Sequence, residues 1–222
     1  MLKQFTRRLI CLCFGIAITG AVFSLPARAA ETDPADFLRA LADDAIAVLS
    51  DDHLDQTGRA QGFRQVLRRG FDIPAVSRFV LGRYWRAASR VEKEEFVQLF
   101  EDYMVAVYGG RLGRDSGKFL TVTSQRADGI DGAIVSSNIK RPDGPVIMLD
   151  WRLKQGDHGW QVVDIMAEGM SLALAQRSEF ASVIRANGGK LSSLLTKLRQ
   201  KTQTLALNQG TLRQTNADAS TQ

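Results

Sequence analysis

Residues 119–166 read FLTVTSQRADGIDGAIVSSNIKRPDGPVIMLDWRLKQGDHGWQVVDIM. From Lys118 onward apolar residues recur with a period of two, the signature of strands with one buried face. Asp128-Gly129, Asp143-Gly144 and Gly156-Asp157-His158-Gly159 interrupt that alternation with turn residues. Strands are therefore predicted near 119–126, 132–140, 146–154 and 160–166. Links this short join antiparallel neighbours only, because a parallel crossover needs a dozen residues or more. The stretch predicts an antiparallel meander.

Helical spacing holds on both sides of it. Asp33-Pro34 reads as an N-cap followed by proline in the first turn. Phe37, Leu38, Leu41, Ala45, Val48 and Leu49 then form a stripe. A second helix is predicted over about 56–69, with Phe63, Val66 and Leu67 on its face, and a third after the Asp72 cap. Ser89 and Glu92 have the S-x-x-E spacing of a capping box, opening a helix over about 90–108 with Phe96, Leu99, Phe100, Tyr103 and Val107 as its stripe. After Gly169 come two more helical patterns, one with Leu172, Leu174, Phe180, Val183 and Ile184, the other with Leu191, Leu194, Leu195 and Leu198. Helices, a meander and helices again make an α+β fold with helices packed on a curved sheet. No internal repeat or long linker divides the chain. One domain over 30–206 is expected, with a disordered tail over 207–222, where polar residues show no pattern.

The first 29 residues have the layout of a secretory signal peptide. A basic start (Lys3, Arg7, Arg8) precedes an apolar run over 9–25, and Ala27-Arg28-Ala29 is a small-x-small cleavage site. The expected location is the periplasm, after cleavage near Ala29-Ala30. The whole chain holds 29 Lys and Arg against 24 Asp and Glu. Four of the basic residues and none of the acids lie in the signal, which leaves 25 against 24. The basic balance is thus an export feature and no argument for nucleic-acid binding. Both cysteines, Cys11 and Cys13, leave too, which excludes disulfides and thiolate chemistry in the mature chain. About 190 residues remain, enough to bury a core.

Catalytic patterns are weak. His53 follows a predicted helix end and His158 sits in a tight turn, and no H-x-x-x-H, H-E-x-x-H or G-x-S-x-G spacing occurs. Gly113–Lys118 (GRDSGK) departs from a phosphate loop at Leu112 and Phe119. Asp164 and Glu168 are the best acid pair, for which capping or pairing with arginine is the default role. Three apolar clusters carry more information. Phe71, Ile73, Val76, Phe79, Val80, Tyr84 and Trp85 form the first. Phe96, Phe100, Tyr103, Met104, Val107 and Tyr108 form the second. Ile147, Leu149, Trp151, Leu153, Val163 and Ile165 form the third. Ordinary core is the default reading, because a core and a pocket wall look alike in sequence.

These residues also carry a resemblance. The run Phe71-Asp72-Ile73-Pro74 through Phe79-Val80-Leu81-Gly82-Arg83-Tyr84-Trp85 resembles the signature of the MlaC/toluene-tolerance family. So do Glu94-Glu95-Phe96 through Phe100 and Tyr103, with Tyr108 beyond. Asp164 to Ser171 matches a D-x-x-x-E-G-x-S element, and Arg177-Ser178-Glu179-Phe180 with Asn187-Gly188-Gly189 fits the C-terminal helical region. The resemblance spans roughly 33–203. It implies a twisted antiparallel sheet of about four or five strands, wrapped by helices and enclosing an apolar lipid pocket. It implies a periplasmic phospholipid shuttle of an Mla-type system, and not an enzyme. Its partners would be an inner-membrane ABC transporter complex and an outer-membrane lipoprotein–porin complex; its cargo would be a phospholipid, with no cofactor or metal. The three clusters, apart from Tyr108 and Leu153, then become the expected acyl-chain contacts, with Arg83 and Arg86 expected at the mouth for headgroup or partner contact.

Three alternatives stay open on the sequence. The cargo of a related carrier would be a hopanoid-associated lipid. A small-molecule isomerase on a nuclear-transport-factor-like fold would need Asp164 or Glu168 inside the cavity. A periplasmic interaction protein would show a flat apolar patch and no cavity.

Overall fold

The computed structural model describes residues 33–109, 120–140, 144–157 and 159–219, with side chains as far as Leu205. The signal peptide read over 1–29, the GRDSGK run at 113–118 and His158 lie outside the described residues.

The predicted meander is present. β1 (Leu120–Ala127), β2 (Gly132–Ile139), β3 (Ile147–Gly156), β4 (Gly159–Ala167) and the short β5 (Met170–Ser171) form one sheet in the order β1-β2-β3-β4-β5. All pairings are antiparallel. On the inner face Ala133, Val135, Ser137 and Ile139 stand opposite Leu153, Trp151, Leu149 and Ile147. The outer face is polar. Arg152 Nε lies 2.9 Å from Asp128 Oδ2, and Ser136 Oγ donates to Asp150 Oδ1 at 2.6 Å.

Two irregularities tune the inner face. Arg152 pairs with Asp164 and Leu153 with Val162, so Val163 is an extra residue in β4. Such a bulge reverses the in–out parity of the strand. Trp160 and Val162 face inward before it, and Ile165, opposite Trp151, faces inward after it. A similar shift sets Thr123 out of register in β1.

Seven helices cover the described residues. α1 (Pro34–Leu49) is capped by Asp33, whose carboxylate accepts from the Ala35 and Asp36 N–H groups. Gln125 of β1 ties the same cap to the sheet, donating to Asp33 Oδ2 at 2.7 Å and accepting from Ala35 N at 3.1 Å. α2 (Gln56–Gly70) crosses α1 closely; a methyl group added at Gly70 would strike Leu41, and one at Gly62 would strike Val48. α3 (Ile73–Leu81) starts at the Asp72 cap and is followed by α4 (Arg83–Ala87), which the sequence pattern does not reveal. α5 (Arg90–Met104) opens with the predicted capping box, Glu92 N donating to Ser89 Oγ and Ser89 N to Glu92 Oε2. It ends in a π-helical turn, Val105–Gly109. α6 (Leu172–Ala186) and α7 (Leu191–Ala219) complete the chain. The backbone of α7 is thus helical through 207–219, where the sequence predicts a disordered tail. That stretch has no proline to stop a helix.

The apolar interior has three parts. α3, α4, α5, α6 and α7 share one around Phe96, Phe100 and Phe180. Phe96 and Phe100 stack with centroids 5.9 Å apart, and Phe180 meets both edge-on at 5.8 and 6.1 Å. A second joins α1 and α2 to the sheet through Leu38, Leu41, Val135, Leu153 and Val162. A third, around Leu49, Phe63, Leu67 and Val105, sits under the end of α1.

Candidate functional site

The three parts do not merge. Between them lies a cavity of about 360 Å³, within the range of ligand clefts. One wall is α1 and α2, with Leu38, Leu41, Ala45, Ile46, Leu49, Phe63, Val66 and Leu67. The opposite wall is the sheet, with Leu120, Ile139, Ile147, Leu149, Trp151, Val163 and Ile165. Val76 and Val80 of α3, Phe100 and Met104 of α5 and Tyr108 of the π turn close a third side, and Leu172, Ala173 and Gln176 of α6 border it.

Several wall residues are held by local devices. Phe71, between α2 and α3, is pinned to β4 by a bridge to Val162, with Asp72 N donating to Val162 O at 3.1 Å. The widened turn after α5 carries Tyr108 to the wall. Trp151 presents its indole to the cavity, and its Nε1–H donates to the buried Ser137 hydroxyl at 2.9 Å. α2 is clamped to α5 by Glu101, whose buried carboxylate accepts from Arg64 at 2.8 Å and from Arg68 Nε at 2.9 Å. Burial opposes the charge on Arg64, but the Glu101 and Asp102 carboxylates outweigh it and raise the guanidinium's pKa.

Charged and amide groups on the wall are Lys140, Asp164 and Gln176. Asp164 is engaged structurally, its Oδ1 accepting from Ile165 N at 2.8 Å and Ala173 N at 3.1 Å. Glu168 is exposed and accepts from Met148 N at 3.3 Å. The acid pair is therefore split between wall and surface. Leu120, Ile139 and Ile147 are half-buried and Lys140 is exposed. These four residues border the cavity at that end of the sheet.

The apolar residues singled out from sequence divide in two. Phe71, Val76, Val80, Phe100, Met104, Ile147, Leu149, Trp151, Val163 and Ile165 line the cavity. Ile73, Phe96 and Tyr103 are buried away from it, and Tyr84, Trp85 and Val107 pack against the helical interior. Phe79 is 43% exposed on the outer side of α3. The cause is helix geometry: α5 turns Phe96 and Tyr103 into the interior shared with α6 and α7, while Phe100 and Met104, which also pack there, reach the void. Arg83 and Arg86 also stand off the wall, on α4; Lys140 is the cation on the wall that the sequence reading missed. The α1 and α2 stripes were visible in sequence as helix faces, with nothing to say that a void lay beneath them. His53 is exposed in a turn, its backbone N–H bonded to Asp51.

The family model described as MlaC protein matches residues 39–200. The chain belongs to the MlaC family. Toluene tolerance protein ttg2D of Pseudomonas putida is 22% identical over 186 residues, covering 82% of this chain and 86% of that protein. The intermembrane phospholipid transport system binding protein MlaC of Haemophilus influenzae is 24% identical over 135 residues, 59% of this chain and 62% of that one. A solved structure of the phospholipid-binding protein from Ralstonia solanacearum, in complex with a phospholipid, superposes with a TM-score of 0.71 at 23% identity. The match covers 79% of this chain and 99% of that one, and it places the α+β architecture in the MlaC fold.

Proposed function

We propose that this protein is a periplasmic phospholipid-binding shuttle of an Mla-type transport system. It carries lipid between outer- and inner-membrane complexes and so maintains outer-membrane lipid asymmetry. The observation that carries this reading is an apolar cavity between the α1–α2 wall and the sheet, in a member of the MlaC family. The phospholipid in the names of two of the similar proteins supports the cargo class, and the signal peptide read from the sequence supports export.

Acyl chains lie between the α1–α2 wall and the sheet. The headgroup stays near Lys140, since burying an unpaired phosphate is costly. Against water, about 30 methylenes at ~0.8 kcal/mol each favour burial by up to ~24 kcal/mol, above the ~20 kcal/mol at which real affinities saturate. A membrane donor already shields those chains, so transfer between two apolar hosts is nearly balanced and partner complexes set its direction. No chemistry on the lipid is required, in keeping with a carrier that is not an enzyme.

Native mass spectrometry of protein purified from a periplasm tests this. Co-purified phospholipid is expected. A clean apo mass, with no uptake from phospholipid vesicles, would sink the proposal; a bound hopanoid would replace the cargo class.

A further inference from the structure

Four arginines gather around Gly82 on the outside of α3, α4 and α6: Arg78, Arg83, Arg86 and Arg177. All four are exposed. Among the described residues none of them has a carboxylate within ion-pair distance, whereas Arg64, Arg68, Arg126, Arg152 and Arg199 each meet one. Two are stacked on rings. The Arg83 guanidinium lies 5.0 Å from the Tyr84 ring centroid and donates to the Tyr84 hydroxyl at 3.0 Å. The Arg177 guanidinium lies 5.3 Å from the Phe79 centroid. Gly82 makes room for it: φ there is +56°, and a Cβ would come within 2.8 Å of Arg177 Nε.

A guanidinium held against a ring by a cation–π contact keeps further N–H groups for a partner, in a fork that matches a carboxylate or a phosphate. Stacking also fixes the side chain in advance, which lowers the ordering cost of a contact. Arginine mixed with exposed aromatic area is the composition of protein interface centres. Like charges held together without acids repel one another, and a partner of opposite charge relieves that repulsion.

We propose that Arg78, Phe79, Arg83, Arg86 and Arg177 form a docking surface for a protein partner that presents clustered carboxylates around an apolar spot. A bilayer is the rival occupant, since Phe79 is 43% exposed, and the vesicle arm of the test below separates the two. The face backs onto the cavity wall, since Val80 and Gln176, the chain neighbours of Phe79 and Arg177, line the cavity. The inference goes beyond the carrier reading and holds whatever the cavity contains.

Labelled poly-L-glutamate serves as the acidic probe, with fluorescence anisotropy as the readout. Binding that weakens with salt is expected. The double variant Arg83→Glu/Arg86→Glu is expected to weaken it about tenfold or more, against less than about twofold for Lys154→Glu/Lys190→Glu, an equal charge change at other exposed sites. Arg83→Gln/Arg86→Gln, run alongside with far-UV circular dichroism on every variant, falls between wild type and the reversal. No binding by wild type, or equal weakening by both double reversals, overturns the proposal. Preferential binding to phosphatidylglycerol vesicles that Arg83→Glu/Arg86→Glu abolishes would assign the face to lipid headgroups and overturn it too.

Discussion

Phe96 and Phe100 lie one turn apart on α5 and stack on each other, yet only Phe100 borders the cavity. Phe96→Ala should cost about 3–5 kcal/mol, read as a lower urea midpoint, because it hollows a packed interior. Val76→Asp and Leu149→Asp, in the wall, should instead lose bound lipid while far-UV circular dichroism is retained. Unfolding of both would mark the wall as ordinary core. Trp151 supplies a third contrast. Its indole N–H has the Ser137 hydroxyl as partner, so Ser137→Ala should cost about 1–3 kcal/mol. Calorimetry should show a Tm lower by roughly 2–4 °C per kcal/mol lost. At this scale the sequence is ambiguous for a physical reason: identical spacing serves an aromatic that fills space and one that bounds it.

Elements were more legible than their companions. The four long strands and the caps at Asp33, Asp72 and Ser89 follow from alternation and turn chemistry, as the structure bears out. The Val163 bulge does not, because two adjacent valines give no sign of which one is extra. Nor does the α1–α2 crossing, since a helical glycine reads as a weakness until Leu41 is seen against Gly70. Gly70→Val should push Leu41 toward the cavity and destabilise the fold by about 1–3 kcal/mol, with lipid uptake falling in parallel. Acid should loosen the same wall. The hydrogen bond from Gln125, with the Ala35 and Asp36 N–H groups and the Arg39 charge, outweighs the opposing effect of burial and holds the Asp33 pKa below the ordinary aspartate value. The Ser89 N–H and hydroxyl lower that of Glu92 in the α5 cap. A carboxylate lowered on folding stabilises fully above its unfolded pKa, and that support fades as pH falls through the folded value. The stability advantage of wild type over Asp33→Asn should therefore hold at pH 6, begin to fade below the unfolded value of about 3.9 and vanish once pH falls beneath the folded value, as urea midpoints across that range would show. An advantage that persisted there would exclude the carboxylate as its source.

For the whole molecule, periodicity predicts two packed layers, the family resemblance implies a pocket, and the structure has a void between the layers. Periodicity reports which face of each element is apolar, but the spacing between layers depends on how several elements stand together. Filling that space should stabilise the fold by linkage: lipid at about 100 times its Kd adds about 2.7 kcal/mol. Thermal unfolding of delipidated and reloaded protein would measure it, and identical curves would count against an internal site.

The same hollow has a mechanical consequence. An empty apolar chamber is volume that the native state keeps and the unfolded chain surrenders to solvent, and pressure favours whichever state is smaller. The emptied protein should unfold at lower hydrostatic pressure than the loaded one. Cargo would then act as a strut, stiffening a shell that is compressible between deliveries.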